Sequence, residues 1–265
     1  MLRSTYNKEK GVRSCASFCE LELAGTAGRV GATDEQSRET LARRNRDYLD
    51  LHGVTAINLV STPRAGKTAL LESCIPTLRR DYRVAIIASD LSTDKDIGRM
   101  RALSVATLQV VMGSSRHLDA LMLQRALRDV VTAELDLLFI ESDGNVACPA
   151  SLSLGQHHNV VLLSVADGDD RPQREPTLFR AADLVLLTKT DLLDHTPGLD
   201  DARLHGNLRA IGCEAPVLGL SSRRGIGIDV FCEWLRAKEA LQSLQVASRP
   251  LEAQPFLDNP RVRYN

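Results

Sequence analysis

The sequence predicts an α/β protein with a mostly parallel sheet and helices on both faces. Short apolar, β-branched segments alternate with helical segments along most of the 265 residues. This alternation is typical of βαβ units, which place successive strands in parallel through right-handed crossovers. Some segments, such as 159–165, are apolar at nearly every position, as expected of a strand that helices cover on both sides.

The individual elements follow from this periodicity in chain order. A polar segment from Ser37 to Leu51, with Leu41 and Tyr48 spaced along it, predicts a short amphipathic helix. The predicted strands are Val54–Val60, Val84–Ala88, Ala106–Val111, Leu135–Ile140, Val160–Val165, Leu184–Leu187 and Pro216–Leu220. The predicted helices between them are Lys67–Leu78, Lys95–Leu103, His117–Val131, Asp201–Ile211 and Ile228–Leu241.

The pattern also predicts how the chain is divided. Residues 1–38 lack a sustained period and are expected to form a flexible N-terminal extension. Residues 39–242 contain all of the predicted strands and form one predicted domain, and residues 243–265 form a C-terminal tail. Ligands of such a domain bind at the carboxyl ends of the parallel strands.

Composition argues against several functional classes. The formal net charge is −1 and the isoelectric point is near 6.6, so the basic surplus typical of nucleic-acid or anionic-membrane binding is missing. No apolar segment reaches the roughly 18 residues of a membrane span. Six scattered cysteines do not suggest a disulfide framework, and each is expected to be a small buried apolar residue. We therefore expect a cytoplasmic protein with neither a nucleic-acid nor a membrane partner.

A phosphate-binding loop is predicted directly after the first predicted strand, Val54–Val60. Residues 61–68 read Ser-Thr-Pro-Arg-Ala-Gly-Lys-Thr and open a helix. In such a loop, backbone N–H groups bind the phosphates, Lys67 reaches the terminal phosphates and the Thr68 hydroxyl binds Mg²⁺, which predicts a P-loop NTPase. Ser61 replaces the usual first glycine, and Arg64 stands where glycine is common, so Arg64 either strains the backbone or adds charge. The predicted nucleotide contacts are Arg64, Ala65, Gly66, Lys67, Thr68 and Ala69.

Acidic residues follow two further strands at the same edge of the predicted sheet. Asp90 begins the polar loop Asp-Leu-Ser-Thr-Asp-Lys-Asp, and Glu141 is followed by Ser-Asp-Gly-Asn, with Gly144 where a γ-phosphate would lie. Thr68 and Asp90 are predicted to hold Mg²⁺. Asp90 and Glu141, together with Lys67, are the predicted catalytic residues, acting mostly through positioning and charge stabilisation.

A guanine site is predicted after the sixth strand. Thr188–Asp191 reads Thr-Lys-Thr-Asp, a variant of the Asn-Lys-x-Asp guanine signature. The Asp191 carboxylate would accept from guanine N1–H and from its 2-amino group, neither of which adenine offers, and Lys189 would stack under the base. Thr188 in place of asparagine is expected to lose a hydrogen bond worth about 1 kcal/mol. The loop that would complete the pocket is Ser221, Ser222 and Arg223.

Lysine usage favours a guanine site over a purely structural role for Asp191. Asp191 could instead be a helix N-cap or turn residue. However, arginine outnumbers lysine 27 to 6, and two of the lysines, Lys67 and Lys189, occupy positions whose chemistry requires one. The cofactors that the sequence predicts are therefore GTP or GDP and Mg²⁺.

Several longer segments stand out between about Arg44 and Leu241, namely Asn-Leu-Val-Ser-Thr-Pro, Asp-Leu-Ser-Thr, His-Leu-Asp-Ala and the segment from Asp136 to Ala150, which includes Cys-Pro-Ala. In these segments the chain resembles the HypB family, nickel-insertion GTPases of [NiFe] hydrogenase maturation. A weaker resemblance links the chain to UreG, the urease counterpart. The resemblance implies a slow, Mg²⁺-dependent GTPase that forms a GTP-dependent homodimer. It also implies two partners, a nickel metallochaperone and a hydrogenase large-subunit precursor.

The resemblance further implies a metal site, at which this chain departs from the family. The family's Cys-His pair falls on Arg116 and His117, and its Cys-Pro-Ala cysteine is Cys148. Arg116 removes a thiolate and adds a cation, so weaker metal binding is expected. His117 and Cys148 are the candidate Ni²⁺ or Zn²⁺ ligands, and a two-fold dimer would supply two of each. Alternatively, Cys148 packs in the core and His117 caps a helix. His157 and His158 are interpreted as surface or turn residues, since neighbours on a strand point to opposite faces.

Two other functions stay open. Arg116 is compatible with a nucleotide-gated maturation scaffold that has lost metal transfer. The combined departures at Ser61, Arg64, Asp143 and Thr188 are compatible with a degenerate regulator that does not hydrolyse GTP.

Overall fold

The computed structural model describes residues 18–22, 35–62, 64–89, 94–111, 118–130, 134–141, 153–196 and 199–248. The strands in these ranges are β1 (Phe18–Glu22), β2 (Thr55–Ser61), β3 (Val84–Ala88), β4 (Ala106–Val111), β5 (Leu137–Glu141), β6 (His158–Ser164), β7 (Leu184–Thr188) and β8 (Val217–Gly219). The helices are α1 (Glu35–Leu51), α2 (Lys67–Leu78), α3 (Asp94–Ala102), α4 (Ala120–Val130), α5 (Arg171–Arg174), α6 (Pro176–Arg180), α7 (Asp201–Ala210) and α8 (Ile228–Ala247). Two 3-10 helices span Val165–Asp167 and Thr190–His195.

The strands form one eight-stranded sheet with the order β1-β4-β3-β5-β2-β6-β7-β8. Every pair of neighbouring strands is parallel. The predicted α/β class, a P-loop NTPase with a parallel sheet, is thereby confirmed. The phosphate loop follows β2, which lies in the middle of the sheet between β5 and β6.

Both faces of the sheet are covered, because alternate residues of each strand point to opposite sides. On one face, α2, α3 and α8 pack on residues such as Ile57, Leu59 and Phe139. On the opposite face, α1 and α4 pack around Ile87 and Leu138. On that second face α6 and α7 also cover β6 and β7. This explains why the strands have apolar residues on both sides.

Several boundaries coincide with the predicted ones and others shift. The ranges of β3, β4 and α2 are those predicted, whereas α8 continues past the predicted end at Leu241 to Ala247. The sequence pattern did not predict the edge strand β1, which pairs with β4 within the region expected to be an N-terminal extension. The short helices after β6 and β7 were also missed. The division at 38 and 242 stays a prediction.

None of the helices in the described part of the chain is long and apolar enough to cross a bilayer.

Candidate nucleotide-binding site

The phosphate loop leaves the buried end of β2 and enters α2 through a left-handed turn. Arg64 has φ +65° and Gly66 has φ +106°. Glycine adopts such angles freely, whereas a residue with a Cβ is strained there by about 1–2 kcal/mol. The backbone at Arg64 therefore has the strain that the sequence predicted as one possibility. The other possibility, added charge beside the phosphates, stays a prediction for this exposed side chain. Pro63 lies outside the described residues.

Ser61, at the position of the usual first glycine, holds the lysine of the loop. The Lys67 ammonium donates to the Ser61 hydroxyl over 3.0 Å, and that hydroxyl donates to the Thr62 carbonyl over 2.7 Å. Ser61 is fully buried at the end of β2. The departure from glycine thus places a hydroxyl where it directs the lysine ammonium toward the loop.

Glu141 and Thr68 meet where neighbouring strands end. The Thr68 hydroxyl donates to Glu141 Oε1 over 3.0 Å, and Glu141 pairs in register with Leu59 of β2. Glu141 is buried, and its carbonyl accepts from the backbone N–H of Ser89, the residue before Asp90. Hydroxyl and carboxylate oxygens are the ligands that a hard cation such as Mg²⁺ prefers, so these two side chains fit a Mg²⁺ ion. Asp90 and Gly144 lie outside the described residues.

Thr188 connects the predicted guanine motif to the phosphate loop. Its buried hydroxyl donates to the carbonyl of Ala65 over 2.7 Å, across 123 residues of sequence. The sequence predicted only the loss of asparagine's hydrogen bond at this position. The threonine instead makes a bond of its own, which joins two motifs that would contact opposite ends of a nucleotide.

Asp191 is held by the loop that follows β8. Ser221 Oγ donates to Asp191 Oδ1 over 2.6 Å. This bond, helped by the nearby Arg224 and Arg223, lowers the pKa of the Asp191 carboxyl below its ordinary value. Asp191 lies inside the 3-10 helix Thr190–His195, whose N-cap is Lys189, so it is not a helix N-cap. The carboxylate is therefore ionised at neutral pH and available as an acceptor.

The remaining predicted contacts lie around the same loops. Lys189 has the left-handed φ of +61°, and the N–H of Thr190 next to it donates to the carbonyl of Leu220. Ser73 of α2 donates to the carbonyl of Ser222 over 3.3 Å, which places that loop beside the helix of the phosphate loop. Arg223 is exposed and Ala69 is half-buried in the first turn of α2.

Sequence reasoning missed one further contact to the phosphate loop. The Thr62 hydroxyl donates to Asp167 Oδ2 over 2.9 Å, and the same oxygen accepts from the N–H of Ser164. Asp167 closes the 3-10 helix after β6, which neighbours β2 in the sheet. The sequence signal that could have indicated this contact is an aspartate that closely follows a predicted strand.

The predicted metal ligands, His117 and Cys148, lie outside the described residues, as does Arg116. Within the described ranges, no group of three or more His, Cys, Asp or Glu side chains is arranged to hold a metal ion. Cys74, Cys213 and Cys232 are buried free thiols, as predicted for cysteines of this chain.

The interpretation of His157 as a surface residue is wrong, although its backbone does bend just before β6. Its side chain is 1% exposed and its Nε2 lies 2.9 Å from Asp50 Oδ1. His158 stacks edge-on against Trp234 of α8 at 5.5 Å between ring centroids. Because α1 and α8 cover opposite faces of the sheet, the two imidazoles do point to opposite sides, as the strand geometry predicted.

Comparisons with known proteins agree with this geometry. Residues 55–219 match the family model described as "CobW/HypB/UreG, nucleotide-binding domain". The hydrogenase maturation factor HypB of Azotobacter chroococcum mcd 1 is 38% identical over 218 residues, which are 80% of this chain and 71% of that protein.

Two solved structures are also similar. HypB of Helicobacter pylori in complex with nickel aligns with a TM-score of 0.71 at 30% identity, over 78% of this chain and 96% of its own. HypB of Archaeoglobus fulgidus aligns with a TM-score of 0.71 at 29% identity, over 77% of this chain and 99% of its own.

Proposed function

The chain belongs to the HypB group of the CobW/HypB/UreG family, and from this premise we propose that it is a Mg²⁺-dependent GTPase that controls nickel delivery. In this proposal, GTP binding favours a homodimer, and slow hydrolysis opens it again. The recipient is a [NiFe] hydrogenase large-subunit precursor in the cytoplasm, and a nickel metallochaperone is a further partner.

The observation that carries the nucleotide part is the bond from Thr188 to Ala65. It joins the Thr-Lys-Thr-Asp motif to the phosphate loop, so that base recognition and phosphate binding belong to one site. Asp191, held ionised by Ser221, supports preference for guanine, because adenine would leave a carboxylate acceptor without its donors. Lys189, Ser222 and Arg223 complete the proposed base pocket.

Hydrolysis is proposed to rest on positioning and charge. Lys67 is held by Ser61 beside the phosphate loop and would neutralise the negative charge of the terminal phosphates. Thr68 and Asp90 would hold Mg²⁺, and the Glu141 carboxylate beside Thr68 would organise the ion or the attacking water. When bound, Mg²⁺ supplies further charge neutralisation of the phosphates. Because these groups provide only positioning and charge, we expect a low rate.

The nickel part is supported by family membership and by the nickel complex of the Helicobacter pylori relative. His117 and Cys148 are the proposed ligands, with the second protomer completing the set, and Zn²⁺ would fit the same donors. Arg116 supports a second candidate function, a nucleotide-gated scaffold without metal transfer, because a guanidinium beside these ligands would repel a cation.

The nucleotide assignment is tested with the variant Asp191→Asn. Fluorescent GDP should bind at least about tenfold more weakly to it, since a hydrogen-bond pair is lost, while xanthosine diphosphate gains affinity. Asp194→Asn, on the same 3-10 helix, is the matched control and should bind GDP as the wild type does. Unchanged GDP affinity in Asp191→Asn would rule out the guanine pocket.

The two candidate functions are separated by equilibrium dialysis with Ni²⁺. About half a nickel ion per protomer, bound with a nonhydrolysable GTP analogue and not with GDP, would support nucleotide-controlled nickel delivery. An absence of nickel in both states, with the analogue itself bound, would favour the scaffold.

A further inference from the structure

Thr62 is the residue on which several hydrogen bonds of the phosphate loop converge. Its carbonyl accepts from the Ser61 hydroxyl over 2.7 Å and from the backbone N–H of Ala65 over 3.3 Å. The Ser61 hydroxyl in turn accepts from the Lys67 ammonium over 3.0 Å. Thr62 itself is buried. The position of Thr62 therefore helps to set both the turn of the loop and the place of its lysine.

Asp167 fixes the side chain of Thr62 from the neighbouring strand. One carboxylate oxygen, Asp167 Oδ2, accepts from the Thr62 hydroxyl over 2.9 Å and from the N–H of Ser164 over 3.1 Å. The first of these bonds spans 105 residues of sequence. Because β2 and β6 are neighbours in the sheet, this bond ties the loop that follows β2 to the 3-10 helix that follows β6.

Helix capping alone does not account for the Asp167 carboxylate. Ser164 and Asp167 form a capping box at the start of the 3-10 helix, in which the Ser164 hydroxyl accepts from the N–H of Ala166 over 3.3 Å. The bond from the N–H of Ser164 to Asp167 completes the box. The bond to Thr62 is therefore an addition that a capping role does not require.

The surroundings of Asp167 place this contact between the two parts of the proposed nucleotide site. Its 3-10 helix lies against the 3-10 helix Thr190–His195, which carries Asp191. The backbone carbonyl of Asp167 accepts from the Arg174 guanidinium over 2.8 Å, so the segment is anchored independently of the carboxylate. Removal of the carboxylate should therefore release Thr62 while the segment keeps its place.

We propose that Asp167 is a positioning residue for phosphate binding, which holds Thr62 so that the loop and Lys67 are in place before the phosphates arrive. A site that is already in its binding conformation loses less conformational freedom on binding and so binds more tightly. This inference rests on the nucleotide part of the proposed function. It extends that part by assigning phosphate affinity to a residue outside the phosphate-loop motif.

The test measures GDP and GMP affinities by competition against fluorescent GDP, in the wild type and in Asp167→Ala. The variant should bind GDP about tenfold more weakly, since a hydrogen bond to a charged group is lost. GMP lacks the terminal phosphate that Lys67 reaches, so its affinity should change by less than about twofold.

Asp200→Ala is the matched control for a purely capping role. Asp200 is the N-cap of α7, where its carboxylate accepts from the N–H of Arg203 over 2.9 Å. The loss of this cap should lower the temperature of unfolding and leave the GDP affinity at that of the wild type.

Thr62→Val removes the same bond from its other side and leaves the capping box of Asp167 in place. This variant covers the case in which Asp167→Ala does not fold, and it should lose GDP affinity to the same extent. The double variant should bind GDP no more weakly than either single variant, because all three lack the same bond.

GDP affinity at the wild-type level in Thr62→Val and in folded Asp167→Ala would overturn the inference alone. Equal losses of GDP and GMP affinity in Asp167→Ala, or a comparable loss of GDP affinity in Asp200→Ala, would indicate a general structural role and also overturn it. A wild type that does not bind GDP would overturn the nucleotide part of the proposed function and this inference with it.

Discussion

The two ends of the parallel strands use polar side chains in different ways. At the carboxyl end, the hydroxyls of Thr68 and Thr188 and the ammonium of Lys67 bond to groups around the phosphate loop. At the amino end, Asp50 accepts from His157 Nε2 and, over 2.6 Å, from Gln242 of α8. The first set lies around the loop proposed to bind the nucleotide phosphates, and the second joins helices to the sheet.

In the amino-end cluster of Asp50, His157 and Gln242, the hydrogen bonds determine which nitrogen of the imidazole is protonated. The N–H of Ala56 donates to His157 Nδ1 over 2.9 Å, so the imidazole proton is on Nε2, which donates to Asp50. Asp50 and His157 are almost fully buried, with side-chain exposures of 3% and 1%. Substitutions at the carboxyl end should therefore change nucleotide binding and hydrolysis, whereas those at the amino end should change the free energy of unfolding.

The largest effect is expected from Lys67→Ala at the carboxyl end. Removing the ammonium should lower the rate of GTP hydrolysis by about 100- to 1,000-fold, because it neutralises phosphate charge. The free energy of unfolding should change by less than about 1 kcal/mol, since the hydrogen bond to Ser61 is partly exposed to water. Turnover of GTP and urea unfolding check the two parts. Lys238→Ala on α8 is the control, and a comparable rate loss in it would argue against a specific role for Lys67.

The reverse result is expected from Asp50→Ala at the amino end. It removes the carboxylate that accepts from the buried His157 Nε2 and from the half-buried Gln242 amide, which should lower the free energy of unfolding by about 3 kcal/mol. GDP affinity of the folded variant should stay close to that of the wild type. Urea unfolding measures the loss, and the exposed Asp47 of the same helix provides the control Asp47→Ala. A loss of GDP affinity without a loss of stability would contradict the division between the two ends.

His158 makes the amino end sensitive to acid. Burial, opposed by Asp183 at 3.9 Å and assisted by Lys238, His157 and Arg46, lowers the pKa of His158 to about 4. An unfolded histidine has a pKa near 6.5, so the unfolded chain binds more protons between these values. Stability from the neutral imidazole is therefore present above about pH 6.5 and is lost as the pH falls toward 4.

This loss should amount to about 2–3 kcal/mol, after allowance for the partly exposed ring. It is measured as the difference in the free energy of unfolding between pH 7 and pH 4. The variant His158→Gln should show a flatter dependence of this free energy on pH. The half-buried His205 of α7 supplies the control His205→Gln. A profile of equal slope in wild type and His158→Gln would exclude this histidine as the cause.

The smallest effect is expected from Thr188→Val. The isosteric replacement removes the bond to the Ala65 carbonyl and the longer contact to the Leu163 carbonyl at 3.4 Å, which should weaken GDP binding and lower stability by about 1 kcal/mol each at most. Fluorescent GDP titration and thermal unfolding check this, with Thr190→Val two residues further on as the control. GDP binding at wild-type strength would show that the bond serves stability alone.

Much of the fold could be predicted from the sequence because its signals are local. The bounds of α2, β3 and β4 follow from hydrophobic spacing within each segment. The edge strand β1 has no comparable signal, because two of its five residues are glutamates and its partner β4 lies far along the chain. The buried position of His157 was likewise hidden, since its partner Asp50 is 107 residues away.

For the candidate site, the sequence by itself determined which residue types stand in the phosphate loop and in the Thr-Lys-Thr-Asp motif. It did so because both motifs are short and consecutive. Only the tertiary structure decided how they are connected, through the bonds of Thr188 to Ala65, of Thr68 to Glu141 and of Thr62 to Asp167. Those contacts depend on strand order, which places β5 and β6 on either side of β2. Strand order results from packing over the whole chain, so no local pattern of residues specifies it.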